Sequence, residues 1–252
     1  MGKVYFLTGS NRGIGLETLK ILSSDSTNTV IGTARDLSNA KELAQLAQER
    51  DNIKIVELDV SSQESINQLN SQLESVAPEG IDTFISNAAI AQTHQPALSV
   101  ERDVYLKHYI TNVVGPIELT KVLKPYLDKR ETKQIIFISS IVGSLSNFVQ
   151  ISTAAYGQSK SALNHAVLTL SFELKDDGYT IVAVHPGVVS SDMLNQAKID
   201  FSEFQPEAAK FLKDNSITTE QSASYQINNV YHKLTKEDNG KFFSYDGSEI
   251  PY

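Results

Sequence analysis

"VYFLTGSNRGIG", residues 4–15, decides the fold. Four apolar, β-prone residues run into a turn carrying Gly9, Gly13 and Gly15, and then into the apolar periodicity of a helix. Strand, glycine turn and helix in that order open a βα unit, with the turn at the carboxyl end of the strand. The G-x-x-x-G-x-G spacing is neither the G-x-x-x-x-G-K loop nor the G-x-G-x-x-G fingerprint, yet the physics is shared. Glycines permit a tight turn and close backbone approach, and the helix start offers free N–H groups and partial positive charge to a pyrophosphate. The turn is expected to cradle a ligand; the plainer alternative is a tight connection that holds nothing.

Similar apolar runs recur at "TVIGTA" (29–34), "IKIVEL" (53–58), "TFIS" (83–86), "QIIFIS" (134–139), "TIVAVH" (180–185) and "KFFSY" (241–245). Most lack polar alternation, which suits strands covered on both faces, and the gaps between them leave room for helical crossovers. The expected fold is α/β: a single-domain, Rossmann-type, doubly wound parallel seven-stranded sheet with helices on both faces. Ser61 and Glu64 have the S-x-x-E arrangement of a capping box ahead of Ile66, Leu69, Leu73 and Val76, which share one helical face. Leu163, Val167, Leu170 and Leu174 do the same further on. Residues 104–123, "VYLKHYITNVVGPIELTKVL", read as one long helix despite Pro116. No linker or repeat divides the chain, so one domain spans 1–252, with the polar and aromatic insertion 192–216 as a candidate substrate lid.

Composition narrows the chemistry. The formal net charge of -8 comes without any long run of one sign, which argues against nucleic acid and membrane partners. The absence of cysteine excludes disulfides, thiolate nucleophiles and cysteine-ligated zinc. The histidines lack metal-ligand spacing, so no metal site is expected. The chain enters its first strand directly and has no stretch near ~18 consecutive apolar residues, so a cytoplasmic protein is expected.

Arg12 immediately precedes Gly13, and Arg35 lies just past the second strand, where the adenosine ribose of a dinucleotide would sit. Two guanidinium groups there suit a 2′-phosphate and favour NADP(H), with Asp36 as the competing carboxylate. In "YGQSK" (156–160), Tyr156 and Lys160 stand four apart at a helix start and project from one face. Ser140 ends a central strand at the edge where open parallel sheets bind ligands. "SNAA" (86–89) and "HPGVVSSDM" (185–193) follow two other strands at the same edge.

Taken together, "TGSNRGIG", "LDV" (58–60), "SNAA", "TNVVG" (111–115), "ISSIVG" (138–143), "YGQSK" and "HPGVVSSDM" resemble the short-chain dehydrogenase/reductase family, in family order and over essentially the whole chain. The finer resemblance is to the carbonyl reductase branch that includes the sniffer, C-factor and norsolorinic acid ketoreductase proteins. It implies a catalytic tetrad of Asn112, Ser140, Tyr156 and Lys160. For the cofactor it implies Gly9, Asn11, Arg12, Gly13, Ile14 and Gly15 at the first turn and Arg35 beyond the second strand. Asp59 and Val60 would line the adenine pocket, followed by Asn87 and Ala88. Tyr156 and Lys160 would also touch cofactor, while Pro186, Gly187, Val189 and Ser191 would meet its nicotinamide end. Two departures stand out: Ala89 replaces the family's glycine, and Ser140 to Tyr156 is a long interval. Ser140 is preferred to Ser139 because the family's serine precedes the x-x-Gly of "SIVG".

The residue types suggest a mechanism. A phenol titrates near 10, so Tyr156 can donate a proton at neutral pH, while the Lys160 ammonium and an oxidised nicotinamide would both depress that value. Pro116 has no N–H, so the Asn112 carbonyl loses its helical donor and is expected to hold a water linking Lys160 to solvent. His185 is read as structural. The implied activity is NADPH-dependent reduction of a ketone or aldehyde. The alternatives are an NADP-linked alcohol dehydrogenase working oxidatively and a non-catalytic dinucleotide sensor. The resemblance further implies a small-molecule carbonyl or alcohol substrate and a homodimer or homotetramer formed through the helices near 100–129 and 156–175.

Overall fold

In the computed structural model, which describes residues 2–252, the first strand explains the sheet. Along β1 (Val4–Leu7), Tyr5 and Leu7 point to one face and Phe6 to the other, and all three are buried. The same alternation holds in β6 (Thr180–His185), where Ile181 and Ala183 oppose Val182 and Val184. Strands with apolar residues on both faces require cover on both.

Among the described residues the remaining strands are β2 (Thr29–Ala34), β3 (Ile53–Glu57), β4 (Thr83–Ser86), β5 (Gln134–Ile138) and β7 (Phe242–Ser244). They form one parallel sheet in the order β3-β2-β1-β4-β5-β6-β7. One face is covered by α3 (Gln63–Val76), α5 (Gly115–Leu127) and α6 (Ala154–Glu173), through Leu69, Leu123 and Val167 among others. The other is covered by α1 (Gly13–Leu22), α2 (Lys41–Glu49) and a late helix that supplies Ile227 and Val230. The chain winds outward from β1 to β3 and then returns to place β4 on the other side of β1. This reversal opens a crevice at the carboxyl edge between β1 and β4.

Two local expectations need correction. Helix α3 is capped by Ser62, whose Oγ accepts from Ser65 N at 3.2 Å; Ser61 instead donates through N and Oγ to Asp59 Oδ1. Residues 104–123 are not one regular helix: α4 (Arg102–Tyr109) passes through a π-helical turn at Ile110–Val114 before α5. Pro116 cannot donate, and Gly115 sits so close to the Val60 carbonyl that a Cβ would fall 2.1 Å from that oxygen. The Gly115 N–H accordingly reaches back five residues to Ile110 O. The 192–216 insertion folds as α7 (Asp192–Phe204) and α8 (Pro206–Asp214), packed on one another. The late helix is α9 (Thr219–Gln226), started by a reciprocal Thr218–Gln221 cap and continued by a second π-helical turn at Ile227–Tyr231.

Candidate active site

The glycine turn is held from both flanks. Ser10 donates through N and Oγ to the Thr33 carbonyl at 2.9 and 3.2 Å. Thr8 Oγ1 accepts from the N–H groups of Asn87 and Ala88, each at 3.0 Å, and Asn87 Nδ2 donates back to the Thr8 and Gly9 carbonyls. These bonds join the ends of β1, β2 and β4. Gly9 and Gly13 have φ of 67° and 59°, the left-handed region that favours glycine. A Cβ on Gly15 would lie 2.2 Å from Gly9 O, whereas one on Gly13 would meet nothing within 4 Å among the described residues. Helix α1 has neither a side-chain cap nor an acidic residue in its first turn. Open space above Gly13 and an uncapped helix start therefore fit a pyrophosphate, with Asn11 and Ile14 half-buried beside it.

The remaining positions expected from the sequence to meet a cofactor are distributed along the same edge. Arg35 is exposed just beyond β2. Arg12 is exposed as well, but it pairs with Asp192 at the head of α7, Nη1 to Oδ2 at 2.8 Å. Asp36 accepts from Ser38 N at 2.9 Å and Ser38 Oγ at 2.6 Å, which commits its carboxylate to the turn 37–39. Asp59 is similarly committed to Ser61, and Val60 is buried next to it. Pro186 leaves β6 into Gly187, whose φ is 89°, and Ser190 N and Ile217 N pin this segment by backbone bonds to Ile217 O and Val188 O. Val189 is buried there. Ser191 Oγ accepts from Leu194 N, so this hydroxyl starts α7.

Ser140, Tyr156 and Lys160 are brought together. Lys160 Nζ lies 5.8 Å from the centre of the Tyr156 ring and donates to Ile138 O at 2.7 Å, while the Tyr156 hydroxyl interacts with Ser140. Ser139 faces elsewhere, donating to Asn164 Oδ1 at 2.6 Å. Asn164 Nδ2 in turn holds Gly143 O, and His185 Nδ1 accepts from Ile141 N at 3.3 Å. The Asn112 side chain pairs with both backbone groups of Ile90 and donates to Ser159 Oγ at 2.9 Å; Ser159 donates onward to Tyr156 O at 2.7 Å. Asn112 thus braces the Tyr156 turn of α6. Ser159 and Asn164 were not singled out from the sequence, although they stand three and four residues after Tyr156 and Lys160, the spacing of one helical face.

Electrostatics depart from expectation in one respect. Burial pushes the Tyr156 phenol up to about 12, with Ser140 pulling the other way, and burial pushes Lys160 down to about 7. A low-dielectric surrounding disfavours the charged form of each, so desolvation outweighs the depression of the phenol expected from a neighbouring ammonium. Burial also pushes His185 down to about 4, leaving a neutral imidazole that supports the turn after Ser140.

Residues 90–94 join this centre to α7. Ile90 is held by Asn112, Gln92 N donates to His108 Nε2 at 3.1 Å, and His94 is held by Asp200 Oδ2 through N at 3.0 Å and Nδ1 at 3.1 Å. His94 is buried against Phe201, ring centres 5.2 Å apart. Phe148 and Phe204 are exposed, whereas Phe201 is buried.

A sheet edge that carries both a turn shaped for a pyrophosphate and a phenol beside a buried amine belongs to the class of dinucleotide-binding α/β oxidoreductases. Residues 3–200 match the family model described as short chain dehydrogenase, and the chain belongs to the short-chain dehydrogenase/reductase family. The chain is 45% identical over 249 residues to uncharacterized oxidoreductase YKL071W of Saccharomyces cerevisiae, covering 97% of this chain and 96% of that one. It is 42% identical to uncharacterized oxidoreductase C663.09c of Schizosaccharomyces pombe, covering 99% and 98%. Among solved structures it superposes on carbonyl reductase Sniffer of D. melanogaster with a TM-score of 0.86 at 29% identity, covering 100% of both chains. The NADPH-bound carbonyl reductase from chicken fatty liver gives a TM-score of 0.86 at 26% identity, covering 100% of this chain and 99% of that one. The protein is an oxidoreductase that works with a nicotinamide dinucleotide. Among the described residues no helix is long and apolar enough to cross a membrane, and no group of three or more His, Cys, Asp or Glu could hold a metal ion.

Proposed function

We infer that the protein is an NADPH-dependent reductase of ketones or aldehydes in which Tyr156 is the general acid. The observation that carries this reading is the placement of half-buried Tyr156 beside Ser140 and the buried Lys160 amine, with desolvation pushing its phenol up so that it remains a proton donor at neutral pH. An acid kept in its donor form suits the reductive direction. When bound, the reduced dinucleotide supplies the hydride that adds to the carbonyl carbon. The C=O π pair moves onto oxygen, Tyr156 gives that oxygen its hydroxyl proton, and Ser140 donates a hydrogen bond to the same oxygen. Lys160, one helical turn away, stabilises the phenolate left behind. Asn112 holds Tyr156 in place through Ser159.

Preference for NADP(H) is supported by exposed Arg35 past β2 and by Asp36, whose carboxylate is turned to Ser38 rather than toward a ribose. Arg12 can exchange its solvent-exposed partner Asp192 for a phosphate. Residues 192–216 act as the substrate lid, attached through Asp200 to His94 and through Gln205 to Ser152 N at 2.8 Å. Exposed Leu106, Ile110 and Val114, four apart along the helix that leads into α5, and Leu168 and Phe172 on α6 suit a homodimer or homotetramer contact. A cytoplasmic setting fits a chain without cysteine.

The test is NADPH consumption against a panel of aromatic ketones, diketones and aldehydes. Tyr156→Phe should lower kcat by about 10²- to 10⁴-fold while binding NADPH within a few-fold of wild type. Equal turnover by the two proteins would remove Tyr156 from the chemistry.

A further inference from the structure

The turn after β6 is backed by a chain of buried polar side chains. Ser222 Oγ donates to the Pro186 carbonyl at 2.6 Å, Gln226 Nε2 donates to Ser222 Oγ at 2.9 Å, and Tyr231 Oη donates to Gln226 Oε1 at 2.8 Å. Ser222 and Gln226 are fully buried and Tyr231 is 3% exposed. The direction of each bond follows from the chemistry of the groups. A carbonyl only accepts, so Ser222 must donate to Pro186, and its lone pair is then left for an N–H of Gln226. That choice turns the amide oxygen of Gln226 toward Tyr231, whose hydroxyl supplies the last proton. Three donors aligned one way polarise one another, and none has water to fall back on.

The geometry depends on the π-helical turn. Ser222 and Gln226 are four apart on α9 and meet as helical neighbours do, but Gln226 and Tyr231 are five apart and would diverge on a regular helix. The extra residue in the turn Ile227–Tyr231, where His232 N reaches back to Ile227 O, brings Tyr231 onto the face of Gln226. Tyr231 is anchored in turn by the apolar layer it shares with Ile227 and Val230 beneath β6. Its burial drives the phenol far above the ordinary value, so it stays a donor.

We propose that Ser222, Gln226 and Tyr231 are positioning residues that fix the Pro186–Val189 turn against the nicotinamide half of the dinucleotide. The proposal rests on the cofactor reading above. Backbone bonds to Ile217 secure Val188 and Ser190, but Gly187 is free in φ and Pro186 has no N–H, so the Ser222 hydroxyl sets where the turn leaves the sheet. The adenosine half lies at the other side of the crevice and does not depend on this chain.

Two ligands separate the halves: NADPH, and adenosine 2′,5′-bisphosphate, which lacks the nicotinamide. Binding is measured directly, by NADPH fluorescence and by calorimetry with the bisphosphate. Ser222→Ala should weaken NADPH about tenfold, the worth of one buried hydrogen bond, and leave bisphosphate affinity within twofold. Tyr231→Phe keeps the packed ring and loses only the hydroxyl; it should weaken NADPH about threefold with the same selectivity and melt cooperatively. Unchanged NADPH affinity in both variants overturns the proposal. So does an equal loss for both ligands, which would mean general loosening. If the wild-type protein binds neither ligand, the cofactor reading fails and this proposal with it.

Discussion

The two halves of the carboxyl edge solve opposite physical problems. Between β1 and β4, space is made by leaving side chains out: the turn stands on Gly9, Gly13 and Gly15, and its backbone is satisfied by Thr8, Ser10, Thr33 and Asn87. Between β5 and β6, polar side chains are pushed in: Ser140 and Lys160 are buried, Tyr156 and His185 are half-buried, and desolvation displaces three of the four from their ordinary titration. The first half is a rigid cradle whose chemistry is supplied by backbone dipoles. The second shifts the titration of its side chains by desolvation, at a cost in stability.

The contrast can be broken most severely at Gly15. An alanine Cβ there falls 2.2 Å from Gly9 O and 2.6 Å from Asn87 Nδ2, atoms that form the lock between β1 and β4. Gly15→Ala should cost upward of about 3 kcal/mol, read as a fall in thermal midpoint, and should impair dinucleotide binding as well. Gly13→Ala sharpens the point. Its Cβ meets no atom within 4 Å among the described residues, so it should cost only about 1–2 kcal/mol for its left-handed φ, yet it fills space needed by the pyrophosphate. A Gly15→Ala protein as stable as Gly13→Ala would show that the lock is not what holds the cradle.

A smaller effect tests recognition within the cradle. Arg35→Asp should lower the NADPH/NADH ratio of kcat/KM by about 10- to 100-fold, the loss of charge-assisted bonds to a 2′-phosphate plus a repulsion. An unchanged ratio would take Arg35 out of phosphate recognition and leave Asp36, now facing Ser38, as the group to examine.

The two halves also differ in how far the amino-acid sequence reveals them. The strands, the glycine turn and the Tyr156–Lys160 pair are local patterns with a fixed period, so the doubly wound sheet and the meeting of Tyr156 with Lys160 can be read directly. What escapes is carried by long separations. His94 meets Asp200 across 106 residues and Arg12 meets Asp192 across 180, and no local pattern marks either pair. Single-residue choices are equally opaque: Ser61 and Ser62 look alike as caps until the Asp59 turn takes the first. The two π-helical turns make the same point, since Pro116 flags the one at Ile110–Val114 while the one at Ile227–Tyr231 has no proline to announce it.

The last prediction concerns the energetic cost in the second half, and its sign follows from Lys160. Burial lowers this amine from 10.5 to about 7, so below pH 7 the folded and unfolded chains both carry the proton and the penalty for burying the charge is complete. As pH rises from 7 toward 10.5, the folded protein releases the proton while the unfolded chain retains it, and stability increases by at most about 1.4 kcal/mol per pH unit. Lys160→Met has no such penalty to relieve. It loses the bond to Ile138 O, but that loss is the same at every pH. The stability of wild type relative to Lys160→Met should therefore climb between pH 7 and pH 9 in parallel denaturant titrations. Neither Tyr156, raised to about 12, nor His185, lowered to about 4, titrates in that interval in the folded protein to obscure the trend. A flat difference across the interval would mean that Lys160 keeps its charge in the folded protein, and the second half would then be a solvated site like the first.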